Sequence, residues 1–248
     1  MTALLDTDRL RLDAALQLLQ RAGHTLAAGP RDAAWLQHVI DALCDLSSRD
    51  ALTGLANRRQ FDLALEREVD RVARAGEPAL VLLLDLDHFK SINDRHGHPA
   101  GDLVLQTVAR TLAHSVRPMD IVARYGGEEF AIVMPNCPPA FAAGAAERIR
   151  RAVEALEIAV APELVLRVTA SLGGAFAPPW VRSSASLWTA RADEQLYRAK
   201  REGRNRSRLE PAVSMQVSAE ERQFLFAPSM PVSLDEPPPE PHEVRSKP

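Results

Sequence analysis

The pattern of apolar and polar positions divides the chain into three zones, and the first of them, residues 1–48, predicts two helices. In the first helix the apolar positions recur at i, i+3, i+4 and i+7 and share one face: Leu12, Ala15, Leu16 and Leu19. Gly29-Pro30 interrupts the pattern, and a second apolar face follows: Leu36, Val39, Ile40, Leu43 and Leu46. About two heptads are too few for a coiled coil. We therefore expect a helical hairpin that packs on itself or on a second copy of the chain.

The middle zone, residues 49–210, alternates strand-like apolar runs with amphipathic helical stretches. Strands are predicted over 79–87 and 164–177 and on both sides of a hairpin within 121–134, and helices over 100–116, 139–156 and 186–203. Helices interleaved with hairpin-joined strands favour an α+β fold in which helices cover one face of a sheet.

The last zone, residues 211–248, holds eight of the 18 prolines of the chain, a composition typical of a disordered tail. One island near 218–226 interrupts it, because Ser218 and Glu221 form a capping box ahead of an apolar run that ends at Phe226. A short helix that docks on this chain or on a protein partner, and a simple tail, remain open as alternatives.

Composition and charge limit the classes of function. A chain of 248 residues can hold one large domain with appendages, and a net charge of -3 gives no general attraction to nucleic acid or anionic membranes. The longest apolar run, 79–84, is far shorter than a membrane-spanning helix, and no signal peptide is visible at the N-terminus. Two distant cysteines show no metal-ligand spacing. We expect a cytoplasmic protein with no nucleic-acid partner and no membrane span.

The sequence "ARYGGEEFAIVMP" carries the first candidate chemistry. Gly126-Gly127 predicts a two-residue hairpin loop with positive φ, which places Glu128 and Glu129 at its tip. Two adjacent carboxylates repel one another. A polar, solvated turn with no functional role is the simple alternative to a functional pair of carboxylates. The rest of the chain has to decide between these two interpretations.

A second acidic group ends the predicted strand 79–87. Alternation places Asp85 and Asp87 on one side of the sheet, and carboxylates at a strand end facing others from a hairpin suit Mg²⁺ beside phosphates. Lys90 follows, and Lys200 and Arg204 form a later cationic cluster. The alternatives are a strand cap for Asp87 and a solvated basic helix end for the cations. No P-loop motif is present. Together these residues predict metal-dependent phosphoryl or nucleotidyl transfer.

Five sequence blocks in order resemble the GGDEF domain, the catalytic unit of diguanylate cyclases. They span about Arg49 to Arg208 and lie at 49–59, 84–102, 124–130, 169–175 and 192–205. The resemblance implies a ferredoxin-like palm of the class III nucleotidyl cyclase type, preceded here by the N-terminal helical hairpin. It also implies that two GTP molecules are condensed into cyclic di-GMP with release of pyrophosphate.

The resemblance assigns roles to individual residues. Asp85 and Glu128 would bind Mg²⁺, with Mn²⁺ as an alternative, together with the backbone carbonyl of Leu86. Glu128 would also take the proton of the 3′-hydroxyl, and Glu129 would assist. The implied substrate-binding residues are Phe89, Lys90, Asn93, His98, Asp102, Gly126, Gly127, Lys200 and Arg204. Asn93 and Asp102 would contact guanine, and a carboxylate there favours GTP over ATP because adenine lacks the matching pair of donors.

Control by the product is also implied. Arg117 and Asp120 match the R-x-x-D inhibition site of the family, and Arg148 lies where a second arginine of that site is often found. A guanidinium suits guanine and phosphate, and the aspartate suits the N–H edge of guanine. A local surface ion pair, worth under about 1 kcal/mol, is the alternative for Arg117 and Asp120.

Each site of this type binds one GTP, so the resemblance implies a homodimer. The helices of residues 1–48 would serve dimerisation or input, and a cap on their own domain is the alternative. The competing function is a catalytically inactive receptor that binds cyclic di-GMP through Arg117 and Asp120. The intact GGEEF sequence argues for catalysis.

Overall fold

The computed structural model describes residues 10–23, 32–177 and 184–211. The helices are α1 (Asp13–Arg21), α2 (Ala33–Ser48), α3 (Arg58–Ala75), α4 (Phe89–His96), α5 (His98–His114), α6 (Pro139–Glu154) and α7 (Ala185–Arg201). The strands are β1 (Ala56–Asn57), β2 (Leu80–Leu86), β3 (Ile121–Arg124), β4 (Glu129–Met134), β5 (Ile158–Ala161), β6 (Leu164–Leu166), β7 (Ala170–Phe176) and β8 (Ser207–Leu209). The expected break at Gly29-Pro30 and the tail with its 218–226 segment lie outside the described residues.

A six-stranded sheet in the order β1-β3-β4-β2-β7-β8 forms the centre of the domain, and β5 and β6 form a separate pair. β2 lies in the middle and pairs antiparallel with both β4 and β7. Its residues are all buried. An uninterrupted apolar run suits this position because a central strand has no solvated face.

Helices cover both faces of the sheet, so the prediction of one covered face is wrong. Leu82 and the other even-numbered residues of β2 join a core cluster with α5 and α6. Val81 and Leu83 join a second cluster with α3 and α7, which includes Trp188. The physical reason is the composition of β2, which is apolar on both sides and therefore requires two layers of helices.

The two predicted N-terminal helices are present and contact one another, each with one fully buried residue, Leu19 in α1 and Val39 in α2. The Asp32 side chain caps α2 by accepting a hydrogen bond from the Trp35 N–H at 2.8 Å. Asn57 Nδ2 donates to the Ser47 carbonyl at 2.7 Å, which ties the end of α2 to β1.

Several elements were not predicted. The sequence analysis predicted neither α3 nor α4. α3 nevertheless carries a regular apolar face, formed by Phe61, Leu65, Val69 and Val72. The expected strand over 164–177 is two strands, β6 and β7, which belong to different sheets. Among the described helices, none is both long enough and apolar enough to cross a membrane.

Candidate active site

The turn between β3 and β4 spans residues 125–128 and differs from the predicted two-residue loop. Arg124 pairs with Phe130, and the N–H groups of Tyr125 and Gly126 both donate to the Glu129 carbonyl, at 2.8 and 3.2 Å. Neither Gly126 nor Gly127 has a positive φ, so that part of the prediction is wrong. A longer loop reverses the chain without the left-handed conformation that a two-residue type I′ loop requires.

Close approach of a side chain explains Gly126 instead. A Cβ atom on Gly126 would lie 2.4 Å from Glu129 Oε2, well inside van der Waals contact. A Cβ on Gly127 would meet nothing within 4 Å. The first glycine therefore makes room for the Glu129 carboxylate, and the second leaves open space beside the turn.

Arg124 fixes this turn to a distant part of the chain. Its Nη2 and Nε donate to the Gly127 carbonyl at 2.8 and 3.1 Å, and its Nη1 lies 3.3 Å from both Asp50 carboxylate oxygens. Asp50 also accepts from the N–H and hydroxyl of Thr53, at 2.9 and 2.7 Å. Burial alone would raise the pKa of Asp50, but the Thr53 hydrogen bonds and the Arg124 charge hold it below its ordinary value. Sequence reasoning assigned no role to Asp50 or Arg124, although both lie in blocks that carry the family resemblance, 49–59 and 124–130.

Asp85 and Glu128 come together at the end of β2. Asp85 is buried and lies opposite Glu129 in the β2–β4 register. The Leu86 N–H donates to the Glu128 carbonyl at 3.3 Å, which brings Glu128 beside the same strand end. Burial, followed by the negative charges of Asp85 and Glu129, raises the pKa of Glu128, while Lys200 opposes the shift. The predicted repulsion between acidic groups is therefore a property of the folded site.

The donor set fits a hard divalent cation. Asp85, Glu128 and the Leu86 carbonyl offer oxygen atoms, which Mg²⁺ prefers, and Mg²⁺ commonly takes only one or two protein carboxylates beside substrate phosphates. Within the described ranges, no cluster of three or more His, Cys, Asp or Glu side chains is arranged for a metal. A divalent cation would offset the repulsion that raises the pKa of Glu128.

Lys200 approaches the acidic group directly. Its Nζ lies 2.8 Å from Asp85 Oδ2, and its side chain is about one-third exposed. Sequence reasoning assigned Lys200 to the substrate phosphates, whereas the structure pairs it with a carboxylate of the expected metal site. Arg204, assigned to the same task, is exposed and has a φ of 62°.

Asp87 is held entirely by the protein. Its carboxylate accepts hydrogen bonds from Thr169 Oγ1 at 2.7 Å, from Ser171 Oγ at 2.7 Å and from the Asn205 N–H at 3.0 Å. The alternative of a strand cap for Asp87 is therefore confirmed. The same bonds attach the segment after α7, which carries Arg204, to the end of β2.

A partly buried hydrogen-bond network also supports that segment. Arg150 Nη1 donates to Asn205 Oδ1 at 2.6 Å and to Glu154 Oε2 at 2.9 Å, and Asn205 Nδ2 donates to Glu154 Oε1 at 2.6 Å. Arg150 and Asn205 lie 55 residues apart, and no local pattern predicts this contact. Arg204 directly precedes Asn205 in the chain and is positioned by this network.

The corner between α4 and α5 brings the expected guanine-binding residues together. A Cβ on Gly101 would lie 1.9 Å from Asn93 Oδ1, so the glycine allows Asn93 to pack against α5 next to Asp102, which is exposed. Phe89 is buried in the core, where it supports this corner, and does not present an open face. Lys90 and His98 are exposed on α4 and at the start of α5.

The expected inhibition residues lie at the other end of β4. The backbone N–H of Arg117 donates to Asp120 Oδ2 at 2.9 Å, and its Nη2 donates to Asp120 Oδ1 at 3.1 Å and to the Pro135 carbonyl at 2.8 Å. Arg148 donates to the Ser115 carbonyl at 3.3 Å. Arg117 and Arg148 line one pocket of about 510 Å³, and Asp120 is not among its lining residues.

Comparison with known proteins identifies the domain. The family described as diguanylate cyclase, GGDEF domain, matches residues 47–206. Response regulator PleD of Caulobacter vibrioides is 42% identical over 172 residues, which cover 69% of this chain and 38% of PleD. The chain spans less than half the length of the first curated relatives that it matches.

Solved structures agree with the sequence match. The GGDEF domain of DgcB from Caulobacter crescentus, in complex with c-di-GMP, is 37% identical, covers 66% of this chain and 93% of its own, and has a TM-score of 0.63. The coiled coil and GGDEF domain of the same protein is 31% identical, covers 82% and 100%, and has a TM-score of 0.66. The predicted α+β palm fold is confirmed. The family match covers more than half of the residues of this chain, and the chain therefore belongs to the family of diguanylate cyclase GGDEF domains.

Proposed function

We propose that this chain is a diguanylate cyclase that condenses two GTP molecules into cyclic di-GMP and releases two pyrophosphates. The observation that carries the proposal is the placement of Glu128 beside Asp85, with its pKa raised by burial and by neighbouring acids. The DgcB domain, which was solved in complex with c-di-GMP, supports the same ligand here. A raised pKa brings a carboxylate closer to the range in which a general base works at neutral pH.

The chemistry assigns one proton and one leaving group to each half-reaction. The 3′-hydroxyl oxygen of one GTP forms a bond to the α-phosphorus of the other, the bond from that phosphorus to the leaving oxygen breaks, and pyrophosphate departs. Glu128 accepts the proton of the 3′-hydroxyl. Glu129, the next residue, assists Glu128. A Mg²⁺ ion held by Asp85, Glu128 and the Leu86 carbonyl would supply positive charge to the phosphates.

Substrate recognition falls to the α4–α5 corner and to the cationic residues around it. Asn93 and Asp102 contact the guanine edge, and rejection of adenine follows because the Asp102 carboxylate would lose its donors. His98 lines the nucleotide pocket above Phe89. Lys90, Lys200 and Arg204 contact the phosphates, which for Lys200 requires release of the ion pair with Asp85. The Gly126 and Gly127 backbone lies next to the α-phosphate.

Two copies of the chain are needed because each domain holds one GTP. α1 and α2 are the proposed dimerisation element, and exposed apolar side chains support this role. Leu18 is 51% exposed and Ile40 is 44% exposed. Ile40 also lines a groove between α2 and α3 together with Leu43 and Leu63. The DgcB fragment that contains a coiled coil and a GGDEF domain matches more of this chain than the domain alone.

Product inhibition is proposed at Arg117, Asp120 and Arg148. The shared pocket of the two arginines supports it, since two guanidinium groups on one pocket suit a ligand with two phosphates. Asp120 orients Arg117 through three hydrogen bonds, two of them from the guanidinium.

We further propose a cytoplasmic location, where GTP is available.

The decisive test is turnover by the purified chain with GTP and Mg²⁺, followed by chromatography of cyclic di-GMP. Wild type and the control Glu163→Ala, which alters an exposed glutamate between β5 and β6, are expected to form product, and Glu128→Ala is expected to form none. ATP in place of GTP should yield no product. If wild type stays inactive after bound nucleotide is removed and dimers are enforced by fusion to a coiled coil, but still binds cyclic di-GMP, the chain is a receptor and not a cyclase.

A further inference from the structure

The pocket beside Arg117 and Arg148 combines positive charge with an open aromatic ring. It lies between the end of β4 and the first half of α6, and its lining includes Asn136, Phe141 and Gly144. None of the residues that line it is acidic. The first turn of α6 also contributes, because no side chain caps that helix and helix N-termini favour anions. The pocket therefore suits an anionic ligand.

Asp120 does not present a free acceptor to this pocket. Its side chain is completely buried, whereas that of Arg117 is 44% exposed. Its two oxygens accept from the N–H and the guanidinium of Arg117. The Pro135 carbonyl holds the same guanidinium from another direction, at 2.8 Å. Asp120 thus fixes Arg117, and its buried carboxylate leaves contact with the face of a purine base to other residues.

Phe141 is the residue that offers such a contact. It is 70% exposed, the highest value among the exposed large apolar residues of the described chain. Single exposed apolar side chains are ordinary on protein surfaces. Phe141, however, lies on the rim of a pocket with two guanidinium groups, and aromatic rings beside arginines are a recurrent arrangement for stacked bases with bound phosphates.

Gly144 keeps the space next to the ring open. It follows Phe141 by three residues in α6, so the two positions share one face of the helix. A Cβ on Gly144 would meet nothing within 4 Å. A flat base can therefore approach the ring along the helix surface without displacing another side chain.

We propose that Phe141 is the base-stacking surface of the product site, on which one guanine of cyclic di-GMP lies while Arg117 and Arg148 contact the phosphates. The proposal rests on product inhibition as set out above and names the residue that selects a purine dinucleotide over simple phosphate. Phe141 has no part in the reaction at Glu128.

Binding of cyclic di-GMP, measured by calorimetry on the full chain, tests the proposal. Phe141→Ala is expected to weaken binding about 5- to 100-fold, as for removal of one stacked base, and Phe141→Trp should bind as wild type does. Tyr197→Ala is the matched control, because Tyr197 is a 60% exposed aromatic residue on α7 outside this pocket. The inhibitor concentration for half-maximal rate should shift in parallel, with the uninhibited rate unchanged in all three variants.

The outcomes separate this inference from the function on which it rests. If Arg117→Ala abolishes binding but Phe141→Ala binds as tightly as wild type, product control stands and the stacking role is overturned. If wild type itself does not bind cyclic di-GMP, both fail. Loss of binding in Tyr197→Ala to the same extent as in Phe141→Ala would also overturn the assignment. Because binding needs no turnover, an inactive preparation still gives a result.

Discussion

Replacing Gly126 by alanine tests how the active-site turn positions Glu129. The added Cβ would lie 2.4 Å from Glu129 Oε2 and 3.3 Å from its Cδ, so the carboxylate has to move by about 1 Å to restore contact at the usual separation. Glu129 is exposed, and its side chain can swing into solvent. Because φ at Gly126 is not positive, the free energy of unfolding should stay within about 1 kcal/mol of wild type. A 1 Å displacement near reacting groups can reduce kcat about 100-fold.

Two measurements are needed, urea denaturation for stability and initial rates of cyclic di-GMP formation for kcat and KM. Gly127→Ala is the companion variant, since its Cβ would meet no protein atom within 4 Å. It should leave stability unchanged and raise KM if the backbone there contacts the α-phosphate. A Gly126→Ala protein with wild-type kcat, or one destabilised by more than about 2 kcal/mol, would show that the glycine is not there to make room for Glu129.

Three further predictions concern the support and charge of the site. Asp50→Asn keeps an acceptor for Thr53 but removes the charge opposite Arg124. The free energy of unfolding, measured in urea, should fall by about 1 kcal/mol, and kcat should fall as well. An unchanged kcat would show that the contact between Asp50 and Arg124 does not position the turn. Gly173→Ala would place a Cβ 2.0 Å from the Leu196 backbone nitrogen, and we expect a loss of about 3 kcal/mol and a lower Tm, because α7 cannot retreat from β7 without opening the core; a wild-type Tm would contradict the close packing. Since the pKa of Glu128 is raised above 4.5 in the fold, its contribution to stability falls as pH rises from 4.5 through the raised value. Glu128→Gln should therefore be the more stable protein at pH 7 but not at pH 4, as measured by denaturation at both values, and an equal difference at the two values would contradict the shift.

The residues proposed for the chemistry could be selected from the sequence because each lies in a local pattern. Asp85 lies near the end of the buried strand β2 and Glu128 is the last residue of the β3–β4 turn, and each pattern is contained within about ten residues. The pairing of Asp85 with Glu129 in the β2–β4 register, together with the bond from the Leu86 N–H to the Glu128 carbonyl, then brings Glu128 beside the end of β2. Arg117 and Asp120 are three residues apart and find each other within one turn.

The supporting contacts were not predictable because they depend on the register of distant elements. Arg124 and Asp50 are 74 residues apart and meet only because β1 pairs parallel with β3. Arg150 reaches Asn205 only because α6 packs beside the segment after α7. The conformation of Gly126 was mispredicted for a related reason. The length of the turn is set by the pairing of Arg124 with Phe130, which a two-glycine pattern does not determine.

The four acidic residues that the sequence placed together fall into two physically different pairs. Asp85 has the Lys200 ammonium at 2.8 Å, and Asp87 has three hydrogen bonds from the protein. Within the described chain, the side chains of Glu128 and Glu129 form no such hydrogen bond or ion pair, and burial, followed by the charges of Asp85 and Glu129, raises the pKa of Glu128 against the opposing charge of Lys200. A charge left uncompensated in this way lowers stability unless a ligand compensates it. We therefore expect a cation or a proton from the substrate to act at the GGEEF turn, whereas Asp87 is part of the framework that holds the site.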